Sequence, residues 1–135
     1  KFVEKETVKK HYFTDNGLLS IFLTNQDTSL LENLCAIALY KKYASDDEPR
    51  LYYYNKNVEV DFYIPEEEMA IQASYTLCDE ETRKREVGAL VALHKLHQLK
   101  KAVIVTYDEE DTLVINGLNI EVVPIWKWLL ASEMR

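Results

Sequence analysis

The sequence predicts a single α/β domain, and two features of its pattern carry this prediction. Residues 51–77 contain three consecutive short strand patterns, in which apolar and polar side chains alternate with a period of two. Two longer stretches, about 30–44 and 80–99, repeat apolar residues at helical spacing and flank the three strands. The 135 residues suffice for one domain with a core, and a hydrophobic content of 47% is typical of a folded protein.

The first half of the chain predicts one helix followed by a three-stranded meander. The helix, about 30–44, carries apolar residues around most of its circumference, so we expect it to be largely buried. The three strands are predicted at Tyr52–Tyr54, Val58–Ile64 and Met69–Tyr75. In the second strand, one face is expected to hold Val58, Val60, Phe62 and Ile64, opposite Glu59, Asp61 and Tyr63. Asp61 and Gln72 therefore lie on neighbouring strands, and their side chains can point to the same side.

The second half predicts a helix, a buried strand, a hairpin and a last helix. Asp79 is a suitable N-cap for the helix at about 80–99. The nearly all-apolar stretch 102–107 predicts a central strand that is covered on both faces. Asn116-Gly117 predicts a tight hairpin turn between two further strands. Pro124 suits the first turn of a helix at about 125–131.

The amino-acid composition limits the kinds of partner that this protein is expected to bind. Sixteen basic and 23 acidic residues give a net charge of −7, which argues against strong nucleic-acid binding because phosphate contacts need clustered Lys and Arg. Cys35 and Cys78 show no metal-ligand spacing and are expected to be buried free thiols. With no signal peptide and no apolar run of membrane-spanning length, we expect a cytoplasmic protein without a membrane partner. Because the chain begins at Lys1, we expect a fragment of a longer protein.

The order of helix, three-stranded meander, helix and strand resembles the restriction-endonuclease-like PD-(D/E)XK fold. Members of that family place a Glu on the first helix, an Asp on the second strand and a Glu-x-Lys on the third strand. The matching positions in this sequence are Glu32, Asp61, Gln72 and Ser74. In active members the carboxylates hold Mg²⁺, which activates water for phosphodiester cleavage, and the lysine helps to position that water.

Several segments narrow the resemblance: YFTDNGLL, LLENLCAIALYKK, YYYNKNVEVDFYI, ETRKREVGAL and VPIWKWLL. Together they resemble the C-terminal domain of prokaryotic AAA-type ATPases that carry a nuclease-like domain after the motor. The resemblance covers residues 11 to about 131 and implies that residues 1–135 are one nuclease-like domain from such an ATPase. ATP would belong to the absent motor domain, because none of the three glycines lies in a phosphate-binding G-x-x-x-x-G-K-[ST] motif.

The resemblance also implies an altered site. Gln72 replaces a carboxylate and Ser74 replaces the lysine, which leaves Asp61 and Glu32 as the candidate ligands of a weakly bound Mg²⁺. Glu32 also fits a capping box with Ser29, and the two interpretations are compatible. Lys56 or Lys84 would have to reach the site to replace the lysine.

We therefore expect a non-catalytic accessory or regulatory domain of an AAA-type ATPase, with the ATPase domain of its own chain as its partner. One alternative is an active Mg²⁺-dependent nuclease with a rearranged site. A further alternative is a module for self-association, which would form a homo-oligomer. Under the first expectation the segment is not an enzyme, and it binds nucleic acid weakly or not at all.

Overall fold

The structure, a computed structural model, describes residues 28–43 and 50–133. Its elements, in chain order, are α1 (Thr28–Tyr43), β1 (Tyr52–Lys56), β2 (Val58–Ile64), a 3-10 turn (Pro65–Glu67), β3 (Met69–Ala73), α2 (Glu80–Leu96), β4 (Lys101–Thr106), β5 (Asp111–Ile115), β6 (Leu118–Pro124) and α3 (Ile125–Glu133). The predicted order of helices and strands is confirmed over these residues. The segment YFTDNGLL and the loop 45–49 lie outside the described residues.

The six strands form one mixed sheet in the order β1-β2-β3-β4-β6-β5. Strands β1, β2 and β3 pair antiparallel as a meander, whereas β4 pairs parallel to β3 and β6 pairs parallel to β4. Strand β5 closes the other edge antiparallel to β6, through a turn in which Asn116 and Gly117 have φ angles of 52° and 81°. Two positive φ angles are what a tight hairpin turn requires, so the predicted hairpin is confirmed.

Helices cover both faces of the sheet. Strand β4 shows the arrangement, because Ala102 and Ile104 pack into the core cluster that holds the buried residues of α2. The intervening Val103 and Val105 pack into the opposite cluster, which holds residues of α1 and, at its margin, of α3. The prediction of a central strand covered on both faces is therefore confirmed. None of the helices in residues 28–43 and 50–133 has the length and hydropathy that crossing a membrane requires.

The prediction that Val60 and Phe62 share a face of β2 is wrong. Val60 packs on the α2 side, whereas Phe62 packs on the α1 side. The register shows the reason, since Tyr54 pairs with Val60 but Tyr52 pairs with Tyr63. One extra residue in β2 creates a β-bulge next to Asp61, and an extra residue moves the following side chains to the other face.

Several element boundaries also differ from the prediction, and Cys78 is exposed rather than buried. Strand β3 ends at Ala73 rather than Tyr75, and α2 ends at Leu96 rather than near residue 99. Helix α1 already includes Thr28, so Ser29 lies within its first turn instead of preceding the helix as an N-cap. The cap of α2 is as predicted, because a side-chain oxygen of Asp79 accepts the Thr82 N–H at 2.9 Å.

Candidate functional site

Strands β2 and β3 separate beside the bulge, and two side chains bridge the gap. The backbone ladder reaches the pair Phe62 and Ile71. Beyond it, the Asp61 N–H donates to Gln72 Oε1 at 2.8 Å, and the Ala73 N–H donates to Asp61 Oδ2 at 2.8 Å. The structure therefore brings Asp61 and Gln72 together, as the sequence predicted, but each side chain binds backbone of the other strand.

The amide of Gln72 joins three elements. Its Nε2 group donates to the carbonyl oxygen of Glu59 on β2 at 3.2 Å and to that of Glu86 on α2 at 3.4 Å. Its oxygen must face the Asp61 N–H, because the two carbonyls need a donor and the N–H needs an acceptor. The residue is only 2% exposed. Both amide hydrogens are thus engaged, and the oxygen already accepts a hydrogen bond.

Ser74 does not join this arrangement. Its hydroxyl donates to the Thr76 carbonyl at 2.9 Å, and its backbone N–H donates to the Val105 carbonyl at 2.9 Å. The side chain is buried within its own loop. Among the described residues that line the cleft next to Asp61 and Gln72, Ser74 is absent. The side chain at position 74, where the resembled nuclease-like family has a lysine, therefore forms a hydrogen bond within its own loop and does not reach the cleft.

Acidic side chains of α1 and β2 raise the pKa values of two ionisable groups near the bulge. Burial raises the pKa of the Cys35 thiol on α1, and the negative charges of Asp61 and Glu32 raise it further. Burial raises the pKa of Tyr53 to about 12, with the Glu59 carboxylate as the next cause. A thiol or phenol near carboxylates loses its proton less readily, because the two negative charges repel. The charges of Glu59, Asp61 and Glu32 thus all act on the Tyr53 phenol.

Glu86 adds a carboxyl group to the same region. Burial raises its pKa, the Arg85 guanidinium at 3.5 Å lowers it, and the charges of Glu32 and Glu59 raise it. No motif in the sequence marks this residue as part of a site. The available signal was its spacing of four and seven residues from Leu90 and Leu93, both 0% exposed, which places Glu86 toward the buried face of α2.

A cleft of about 700 Å³ lies beside Asp61 and Gln72. Asp61, Gln72, Glu59 and Glu86 line it, together with Lys84 of α2. Of the two lysines considered as replacements at position 74, Lys84 shares the cleft, whereas Lys56 is not among its lining residues. In the part of the chain that the structure describes, no group of three or more His, Cys, Asp or Glu side chains has an arrangement that could hold a metal ion.

Comparison with known proteins shows which family the chain belongs to. A family model described as a domain of unknown function, DUF4143, matches residues 27–128. The chain belongs to the DUF4143 family. DUF4143 domains are known in AAA-ATPase-associated proteins.

One relative of the DUF4143 chain is an uncharacterized protein of Methanocaldococcus jannaschii, which is 32% identical over 118 residues. The alignment covers 82% of this chain and 26% of that protein, so the chain spans about a quarter of the relative's length. No solved structure matches the chain.

Proposed function

We propose that this chain is a non-catalytic accessory domain of an AAA-type ATPase, with a restriction-endonuclease-like fold and a degenerate PD-(D/E)XK site. The order of α1, the β1–β3 meander, α2 and β4 supports the nuclease-like ancestry. The DUF4143 match supports the link with AAA-type ATPases. In this proposal the ATPase domain of the same chain is the partner.

The hydrogen bonding of Gln72 is the observation that carries the proposal. A metal-dependent nuclease needs carboxylate oxygens directed at the ion, because Mg²⁺ prefers hard, charged oxygen ligands. Here the corresponding side chain is a neutral amide with its oxygen on the Asp61 N–H and its nitrogen on two carbonyls. The same position thus holds β2, β3 and α2 together, and we propose that this structural role replaced the metal-binding role.

A second candidate function is a Mg²⁺-dependent nuclease with a rearranged site. The observation that favours it is the common cleft, in which Lys84 lies with Asp61, Glu59 and Glu86. Lys84 would position the water in place of the lysine that Ser74 replaces. Glu59 or Glu86 would supply the carboxylate that Gln72 replaces.

A cleavage assay separates these two candidates. The chain is incubated with Mg²⁺ or Mn²⁺ and with labelled single-stranded DNA, duplex DNA and RNA. We expect all three substrates to stay intact. Metal-dependent cleavage that disappears in Asp61→Asn and in Lys84→Met, but persists in Lys100→Met, would establish the rearranged nuclease. Lys100 is exposed and is not a lining residue of the cleft, so it serves as a matched control.

Rebuilding the motif tests the ancestry directly. Gln72→Glu restores the carboxylate, and adding Ser74→Lys restores the complete pattern. We expect the rebuilt variants to be stabilised by Mn²⁺ more than the parent chain, because an ion that binds only the folded state raises its stability. Adding Asp61→Asn should remove this gain. Equal thermal shifts for parent and rebuilt chains would argue against a former metal site.

Self-association is the remaining candidate, and helix α3 favours it. Trp126 and Leu130 are 59% and 54% exposed and lie four residues apart, on one face of the helix. Large apolar side chains grouped on a surface are typical of protein contact sites. Sedimentation velocity of the chain and of Trp126→Asp tests this candidate. A concentration-dependent oligomer that Trp126→Asp dissolves would support it, and a monomer at all concentrations would exclude it for the isolated chain.

A further inference from the structure

A second depression lies along α2, beside the cleft at Asp61. This depression, which we call the lysine groove, has a volume of about 520 Å³ and is bordered by α2 and by the turn between β1 and β2. Val87, Val91 and Leu96 contribute apolar atoms to its lining. Val87 and Val91 lie four residues apart on one side of α2 and belong to the core, whereas Leu96, the last residue of the helix, is exposed.

Three lysines line the groove without an acidic neighbour in its lining. They are Lys56, Lys84 and Lys95, and all three are exposed. None of the salt bridges formed between described residues uses one of these lysines. The chain as a whole carries a net charge of −7. A purely basic rim around an apolar surface is therefore a local exception that the overall composition does not explain.

The groove is open along its length. Leu96 is 58% exposed, although it is a large apolar side chain at the end of α2. At Gly88, midway along the helix, a Cβ atom would meet no other heavy atom within 4 Å. Alanine would favour the helix there, because glycine in a helix interior costs about 1 kcal/mol relative to alanine. The glycine instead keeps the helix backbone accessible at the centre of the groove.

We propose that the lysine groove binds an acidic, aliphatic peptide segment of a partner protein. Aliphatic side chains of the peptide would cover Leu96, and its carboxylates would pair with Lys56, Lys84 and Lys95. An apolar centre with a polar rim is the usual composition of a protein-binding surface. The charge of the rim selects the partner, because like charges repel and opposite charges attract across an interface.

The lining favours a peptide over a nucleic acid. Single-stranded DNA and RNA bind by stacking bases on aromatic side chains beside basic residues. No aromatic side chain lines the lysine groove among the residues that the structure describes. Its apolar surface is aliphatic throughout, which suits leucine-like side chains better than bases. Lys84 lines both the groove and the cleft, but neither Asp61 nor Gln72 lines the groove, so this inference does not rest on the nuclease-like ancestry.

Selection from a display library of short random peptides tests the proposal, with the immobilised 135-residue chain as the target. We expect the selected peptides to be enriched in aliphatic residues flanked by Asp and Glu. Their affinity should fall as salt is raised, because salt screens the exposed charges. Selected peptides without acidic enrichment would overturn the proposal. So would binding of single-stranded DNA in place of any peptide, if that binding depended on the same lysines.

Matched variants then locate the binding site for one selected, fluorescently labelled peptide. Leu96→Asp and Lys95→Glu should each weaken binding at least about tenfold, equivalent to about 1.4 kcal/mol. Val114→Asp and Lys100→Glu are the controls, because they make the same kinds of change at exposed positions outside the groove, and they should bind as the parent does.

Two further tests guard against indirect effects. Gly88→Phe introduces a bulky side chain into open space, so it should fold normally and still block the peptide. Lys95→Glu should recover affinity for a peptide in which lysines replace the acidic residues. Binding that persists in Leu96→Asp, Lys95→Glu and Gly88→Phe would show that the peptide lies elsewhere and would overturn the proposal.

Discussion

Replacing Gln72 by glutamate tests whether the amide holds the two strands and α2 together. The substitution exchanges an NH₂ group for an oxygen and changes little else in shape. The retained oxygen can still accept the Asp61 N–H. The new oxygen faces the carbonyls of Glu59 and Glu86, which formerly accepted hydrogen bonds at 3.2 and 3.4 Å. Two favourable contacts thus become contacts between oxygens of like partial charge.

The expected cost at neutral pH is about 3–5 kcal/mol, the range observed when a buried charge is left without its partner. Two lost hydrogen bonds of about 1 kcal/mol each explain part of that cost. The remainder comes from holding a carboxylate at a position that is only 2% exposed in the parent chain. A domain is stable by about 5–15 kcal/mol in total, so the effect is a large share of the stability.

The stability that Gln72→Glu loses should depend on pH in a definite direction. Burial and the facing carbonyls raise the folded-state pKa of the introduced carboxyl above its unfolded value of about 4.3. At a pH below the unfolded pKa the group is protonated in both states, and its O–H can donate to one carbonyl. As pH rises toward the folded pKa, the unfolded state loses the proton first, so the variant loses stability relative to the parent. Above the folded-state pKa the variant has lost this stability completely.

Urea denaturation followed by circular dichroism, at pH 7.5 and again near pH 4.5, measures both effects. Gln98→Glu makes the same chemical change at an exposed residue and is the control for net charge. The difference between the two variants should be large at the higher pH and smaller at the lower one. If Gln72→Glu were as stable as Gln98→Glu at pH 7.5, the amide would not be the link we infer from the structure.

Three further predictions concern neighbouring residues. Asp61→Ala should destabilise the domain by about 1–3 kcal/mol in urea denaturation, because the buried Ala73 N–H loses its acceptor, and Asp61→Asn, which keeps an acceptor, should cost less. Glu86→Gln should raise the melting temperature at pH 7 but not below pH 4, because a carboxyl group with a raised pKa contributes stability that is lost as pH rises. Glu67→Gln makes the same change at an exposed residue and is the control. Equal shifts of the melting temperature in both variants would contradict the explanation. Gly88→Ala should stabilise the chain by about 0.5–1 kcal/mol in thermal or urea denaturation, since the helix gains a Cβ in open space, and a loss of stability would show that the glycine is needed for packing.

Much of the fold was predictable because its signals are local. The N-cap at Asp79, the Asn116-Gly117 turn and the apolar run of β4 each depend on a few adjacent residues, and all three are present as predicted. The pairing of β2 with β3 also follows from their short connection. The bulge was not predictable, since the alternation of residues 58–64 is regular in sequence and only the pairing with β1 shows the extra residue.

The sequence by itself determined the residue types near the candidate site, while the tertiary structure decided what they do there. The pattern brought Asp61 and Gln72 onto adjacent strands, and the resemblance marked Gln72 and Ser74 as departures from a metal site. Only the folded chain shows that Gln72 binds backbone from two other elements, that Asp61 accepts the Ala73 N–H, and that Glu86 joins them. Hydrogen-bond partners and desolvation depend on groups that are distant in the chain, and local periodicity contains no information about which of them will meet.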